Sequence, residues 1–220
     1  MTWTPSHKWI VRNGNKDTLT EEDLLHFAYC LLEESSPNVI TSTGATLVHF
    51  AALTEQADIL VKFLKNQGAD IHAADDKGAT PLHWAVRSPS KHAVPTLIRL
   101  GASPWVVDEE DNTPLHYAVE CGNVRAAKIL LSLFPSALYE RNVFGKTPLA
   151  VVCEEEHSKM IRFLLSQGAP YEEWIMQEAI EHNSLKVVKV LLSCTTHESS
   201  SMDSKKCLAK KRTASFALCI

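Results

Sequence analysis

G-A-T-P-L-H-W-A-V at 78–86 returns as D-N-T-P-L-H-Y-A-V at 111–119 and as G-K-T-P-L-A-V-V-C at 145–153. A weaker copy, G-A-T-L-V-H-F-A-A, stands at 44–52. The threonines Thr46, Thr80, Thr113 and Thr147 are 34, 33 and 34 residues apart. A fixed period of this length marks a chain built of stacked supersecondary units, each burying its apolar face against the next. In each copy the threonine suits a helix N-cap, its hydroxyl accepting an orphan backbone N–H. Pro81, Pro114 and Pro148 then fall at the first helical position, where a missing N–H is harmless.

A second helix is expected after each of these, over 58–66, 90–100, 124–133 and 158–166. Its apolar residues recur at helical spacing, as in Ile129, Leu130 and Leu133, or Ile161, Leu164 and Leu165. Gly68, Gly101 and Gly168 stand where a left-handed C-cap closes such a helix. The connecting stretches 71–79, 105–112 and 139–146 are read as hairpin fingers. Three departures bear on local geometry. Leu47-Val48 replaces Pro-Leu in the first copy and predicts a weaker helix start. Pro95 predicts a kink or a delayed start in the second helix of its unit. Leu133-Phe134-Pro135-Ser136-Ala137 replaces the Gly-Ala exit of the third unit.

The recurring T-P-L-H, the apolar helix after it and the closing Gly-Ala at 68–69, 101–102 and 168–169 resemble the ankyrin repeat. The resemblance covers about residues 41–194 and implies an all-α repeat solenoid, an ankyrin repeat array of helix–turn–helix units joined by β-hairpin fingers. Four repeats are assigned to 41–74, 75–107, 108–141 and 142–171. Residues 172–194 keep the helical part of a repeat without its motif and are read as a degenerate C-terminal cap, since end units must turn a polar face to water. Residues 18–40 are read as an N-terminal capping helix or degenerate repeat, on the capping-box-like Thr20-Glu21-Glu22-Asp23 before 24–32. Residues 1–17 form an N-terminal segment of undetermined order, and 195–220 a flexible basic tail.

Composition narrows the function classes. Hydrophobic residues make 45% of the chain and charged residues 22%, which is ordinary for a folded soluble protein. No apolar run has the length of a membrane-spanning helix. The first residues lack the apolar core of a secretory signal, so cytoplasm or nucleus is the expected compartment. The six cysteines show no metal-ligand spacing. Cys30, Cys153 and Cys194 read as small buried apolar residues. The net charge is −4, and residues from 195 onward carry five bases against two acids, so the array itself is acidic. That balance argues against a nucleic-acid ligand.

His49, His83 and His116 invite a metal or catalytic reading. They occur once per unit, however, and the resemblance implies that they hydrogen-bond the backbone of adjoining fingers. Glu154-Glu155-Glu156-His157 reads as a solvated turn, and 108–111 lacks the glycine and distal glutamate of a calcium loop. No phosphate-binding loop, nucleophile elbow or zinc-protease motif occurs. The chain is therefore read as non-enzymatic, without cofactor, metal or small-molecule substrate, and as a monomer. An enzyme using the array as scaffold is the alternative of another class.

The resemblance further implies a protein partner held on the concave face and finger tips. The candidate contacts are Asp76, Lys77, Glu109, Glu110, Asn112, Val143, Phe144 and Lys146 on the fingers. Phe50, Trp84, Arg87, Tyr117 and Glu120 join them from the first helices, with Val151, Ser88 and Cys121 at matching positions. Phe50, Trp84 and Tyr117 form either an exposed aromatic ladder or packing between repeats; both readings stay open. Phe144, an aromatic at a finger tip with no core to fill, is the sharpest candidate. In the tail, Lys205, Lys206, Lys210, Lys211 and Arg212 resemble a nuclear import patch. Ser215, in Arg-Thr-Ala-Ser, resembles a basophilic kinase site. The final Leu218-Cys219-Ile220 resembles a C-terminal ligand of PDZ domains. These features give a second reading, a regulatory adaptor whose tail localises the bound partner.

Overall fold

The computed structural model describes residues 36–38, 40–181 and 184–197. The sequence features at 1–35, including the expected N-terminal cap, and the tail beyond 197 lie outside the described residues. The rest is a succession of helix pairs. They are α1 (Leu47–Leu53) with α2 (Ala57–Asn66), α3 (Pro81–Ala85) with α4 (Ala93–Arg99), and α5 (Pro114–Glu120) with α6 (Val124–Leu133). A 3-10 turn, Pro135–Tyr139, follows; then come α7 (Pro148–Glu154) with α8 (Ser158–Ser166), and α9 (Glu173–Glu181) with α10 (Leu185–His197). Each pair packs on the next, so the core is one continuous seam rather than a central ball.

The seam has a constant recipe. Val48, Leu82, Leu115 and Leu149 hold the same place in the first helices and are all buried. Ala51, Ala85, Ala118 and Val152 keep the adjoining place small, which lets neighbouring backbones approach. Cys153 is buried where Val86 and Val119 stand in earlier units, in agreement with its reading as a small apolar residue. Leu64, Leu97, Leu130 and Leu164 close the seam from the second helices. Each such leucine contributes roughly 1.5–3 kcal/mol by leaving water.

The second helices end as their glycines require. Gly68, Gly101 and Gly168 have φ of +85°, +99° and +86°. The alanine after each donates its N–H back to a carbonyl five residues earlier, Ala69 to Leu64, Ala102 to Leu97 and Ala169 to Leu164. This is the closing pattern of a Schellman motif.

Four local expectations are revised. α1 starts at Leu47, in register with the others, and runs two residues longer than α3 despite lacking the proline. The second helix of the second unit begins at Ala93 rather than at residue 90. Pro95 then falls in the first turn, where its absent N–H has no intrahelical partner to lose, so the start is delayed and no kink is needed. In the third unit Ala137 of the 3-10 turn takes over the buried role of Ala69, Ala102 and Ala169. The fingers are turns rather than full hairpins: among the described residues there is no strand, only an isolated antiparallel bridge between Ile40 and Thr46. Each finger closes on itself by two backbone bonds: Asp75 N–H to Ala79 O and Gly78 N–H to Asp75 O, Asp108 N–H to Asn112 O and Asp111 N–H to Asp108 O, and Asn142 N–H to Lys146 O and Gly145 N–H to Asn142 O.

Candidate partner-binding surface

The finger face is assembled by three kinds of side chain, each recurring with the period. The first is the histidine. In three units the N-cap threonine donates its backbone N–H to the Nδ1 of the histidine three residues on: Thr46 to His49 at 3.0 Å, Thr80 to His83 at 3.0 Å and Thr113 to His116 at 3.1 Å. An N–H can only donate, so Nδ1 is the acceptor and the ring proton sits on Nε2. Nε2 in turn donates to the next finger, at Ala79 O (3.0 Å), Asn112 O (3.2 Å) and Lys146 O (3.2 Å). Each histidine is thus a neutral rivet between layers. Burial pushes all three below the ordinary imidazole value, His116 to about 4. The fourth unit has Ala150 in this place, and the buried Thr147 hydroxyl is left without a partner. Among the described residues no group of three or more His, Cys, Asp or Glu could hold a metal ion.

The second kind is the finger's own turn-former, five residues before the threonine: Thr41, Asp75, Asp108 and Asn142. Asp75 Oδ1 accepts from the N–H groups of Lys77 and Ala79, Asp108 Oδ1 from Glu110 and Asn112, and Asn142 Oδ1 from Phe144 and Lys146. The Thr41 hydroxyl does the same for Thr43 and Ala45. These are side-chain-closed turns. Sequence reasoning passed over their role, although they share the period of the threonines and that recurrence marks them.

The third kind is the aromatic residue after the histidine. Trp84 Nε1 donates to Asp75 at 3.0 Å, and the Tyr117 hydroxyl donates to Asp108 at 2.8 Å. Trp84 meets His49 and Phe50 edge to face, and Tyr117 meets His83 in the same way. Phe50 and Tyr117 are buried and Trp84 is half-buried. Their rings therefore pack between repeats, and the exposed-ladder reading is corrected for Phe50 and Tyr117. Trp84 and Tyr117 each direct a polar tip to the carboxylate of their own finger, which draws those rings onto the stack, whereas Phe50 is held by its edge-to-face contact with Trp84. Burial and the neighbouring Asp108 push the Tyr117 hydroxyl well above its usual range. Burial alone would raise Asp108, but hydrogen bonds from Asn112, Tyr117 and Glu110 outweigh it and hold the carboxyl below its ordinary value.

The remaining candidates are placed as follows. Arg87 lies over the Tyr117 ring, 4.5 Å from its centre, and pairs with Glu120 at 2.8 Å. Lys146 pairs with Glu154. Asn112 bridges fingers, bonded to Asp108 within its own and accepting from Asn142 in the next. Asp76, Lys77, Glu109, Glu110, Val143 and Phe144 remain exposed at the tips. The tips are registered by one backbone bond per step: Asp76 N–H to Thr43 O, Glu109 N–H to Lys77 O and Val143 N–H to Glu110 O. Val143 and Phe144 expose 54% and 67% of their surface, while Phe144's backbone N–H is held by Asn142. Large apolar side chains on so well fixed a backbone are a ready contact surface.

A different seam joins the layers at the turn between paired helices. The Ser90 hydroxyl donates to Glu55 O, Asn123 Nδ2 to Val86 O and His157 Nε2 to Glu120 O. The acidic turn at 154–157 is part of it. Glu156 bonds Ser184 and Lys186 of the last unit, and these partners pull its carboxyl below the ordinary value. No helix among the described residues is long and apolar enough to cross a membrane.

Known proteins share this arrangement. Two family models match, "Ankyrin repeats (3 copies)" over residues 9–108 and "Ankyrin repeats (many copies)" over 97–152. The solved human ASB11 ankyrin repeat domain superimposes with a TM-score of 0.70 at 24% identity, covering 87% of this chain and 84% of that one. The human transient receptor potential cation channel subfamily A member 1 is 30% identical over 123 residues, 56% of this chain and 11% of that protein. The putative palmitoyltransferase ZDHHC13 of Danio rerio is 37% identical over 84 residues, 38% of this chain and 12% of that one. Palmitoyltransferase Hip14 of Drosophila melanogaster is 42% identical over 64 residues, 29% of this chain and 10% of that one. The chain spans about a tenth of the length of these curated relatives. With family matches running together from residue 9 to 152 and the threonine–histidine rivets in three successive layers, the chain belongs to the ankyrin repeat family.

Proposed function

We propose that this array is a non-enzymatic protein-binding module that holds a partner on its finger tips, centred on Val143 and Phe144. Ankyrin repeats are in general protein–protein interaction modules, and the histidines here are committed to structure. The observation that carries the placement is the exposure of Phe144 on a turn whose backbone is hydrogen-bonded on both sides. Aromatic side chains on rigid backbone bury much area while losing few rotamers, which makes them binding anchors. Glu110 adjoins that anchor through its carbonyl, with Glu109 on the same finger and Asp76 and Lys77 on the finger beyond; Trp84 and Arg87 of the second unit and Glu120 of the third are the further contacts proposed.

A photo-crosslinking amino acid placed at 144, with the same group at the exposed Leu133 at the end of α6 as the comparison, tests this in native lysate. Adducts to one protein from position 144 and not from 133 support the reading. Adducts from 133 alone move the function off the fingers. A second reading is an adaptor that carries its partner to nucleus, membrane or PDZ scaffold, supported by the basic run Lys205, Lys206, Lys210, Lys211 and Arg212 after the array. Cytoplasm and nucleus are the compartments it implies. Relocation of the chain on neutralising those five residues tests it.

A further inference from the structure

The tips carry two chemistries side by side. The fourth finger presents Val143 and Phe144 with no charge at its tip, and the third presents Glu109, Glu110 and Asp111, all exposed. Val143 N–H bonds Glu110 O at 2.9 Å, so the apolar pair and the acids adjoin. Among the described residues no cation pairs with Glu109, Glu110, Asp111 or Asp76. The bases nearest the apolar tip are occupied: Lys146 by Glu154, and Arg141 by Glu172 and the Gly145 carbonyl. Lys77 is the single base on the tips of the second and third fingers. The face is thus apolar at one end and net acidic along the rest.

Building on the finger-tip reading above, we infer that the partner is a peptide segment with one large apolar side chain and Lys or Arg on one side of it. The apolar side chain seats on Val143 and Phe144, and the bases lie over Glu109, Glu110 and Asp111, and beyond them Asp76. Stacked helices are about 8–10 Å apart and an extended chain covers about 3.3 Å per residue. The bases therefore fall about three to six residues from the anchor. An acidic or phosphate-rich partner is repelled from the same face.

Peptides selected from a random phage library on the full chain supply the probe. The best of them is synthesised and titrated against the wild type, Phe144→Ala and Glu109→Lys/Glu110→Lys, each shown to melt like the wild type. The expected peptides place Lys or Arg at the stated distance from an aromatic or large aliphatic residue. Affinity is expected to fall about tenfold in either variant, and the loss in the charge variant to shrink at high salt. Peptides that need Phe144 but bind the charge variant as well as the wild type overturn the partner chemistry and leave the finger-tip reading standing. Peptides indifferent to both variants count against both. A library that yields no enriched peptide overturns the inference alone, since the crosslink at 144 is an independent readout.

Discussion

His116 shows how one side chain decides what a position does. It accepts from Thr113 N–H at Nδ1 and donates to Lys146 O from Nε2, and the first of these bonds requires a neutral ring. Because its folded value is depressed, from 6.5 to about 4, it adds stability that is complete above pH 6.5 and lost as pH falls toward 4. The span corresponds to about 3 kcal/mol, and His49 and His83 act in the same direction. Urea titrations across this range are expected to show stability falling with pH, and His116→Ala is expected to flatten that slope while lowering stability at neutral pH. A slope identical in the variant would mean that the rivet titrates elsewhere. Asp111 makes a second case. It has φ +57° where the neighbouring fingers have Gly44, Gly78 and Gly145 at φ +71° to +75°. Asp111→Gly relieves that backbone and removes a charge from an acidic tip, so a gain of a few tenths to about 1 kcal/mol is expected by thermal melting. A loss would show that the Asp111 side chain supports the finger. The N-cap position of the threonines was legible because it recurs in phase, and the histidine bonds to the next finger are those the resemblance implied, but the Thr147 hydroxyl, expected to accept a backbone N–H, has no partner. The burial of Phe50 and Tyr117 was not legible, because it depends on neighbours that periodicity does not supply: Asp108 takes the Tyr117 hydroxyl, and Trp84 of the next unit meets Phe50 edge to face.

At the scale of elements, the pattern specified helices better than connections. The bounds of α6 and α8 are those the apolar spacing predicts, since a 3.6-residue stripe must meet a flat neighbour. α4 came out shorter because Pro95 sets its start, and the third exit became a 3-10 turn because Pro135 supplies no N–H to continue α6. The fingers hold by side-chain-closed turns and single cross-bonds, a feature invisible to periodicity. Among the described helix pairs the middle one holds α5, whose Leu115 is fully buried. Leu115→Ala is expected to cost roughly 2–5 kcal/mol, read from chemical denaturation. An unchanged midpoint would contradict the register of the whole array.

Among the described residues, one seam of rivets runs along the fingers of the first four units and another along the inter-helix turns of all five, so the first four units are tied to one another at both edges. Such a stack derives stability from adjoining layers and leaves the finger tips free to vary. The stack needs none of Val143, Phe144, Glu109 or Glu110 for its core, and these exposed residues are the ones the proposed binding would use. Their location was legible because periodicity separates what the repeat requires from what it leaves open. The most direct test is affinity capture from native lysate, comparing the wild type with Val143→Ser/Phe144→Ala. The two proteins are expected to melt alike, with one partner retained by the wild type and lost from the variant. The same partner held equally by both would contradict a finger-tip binding surface.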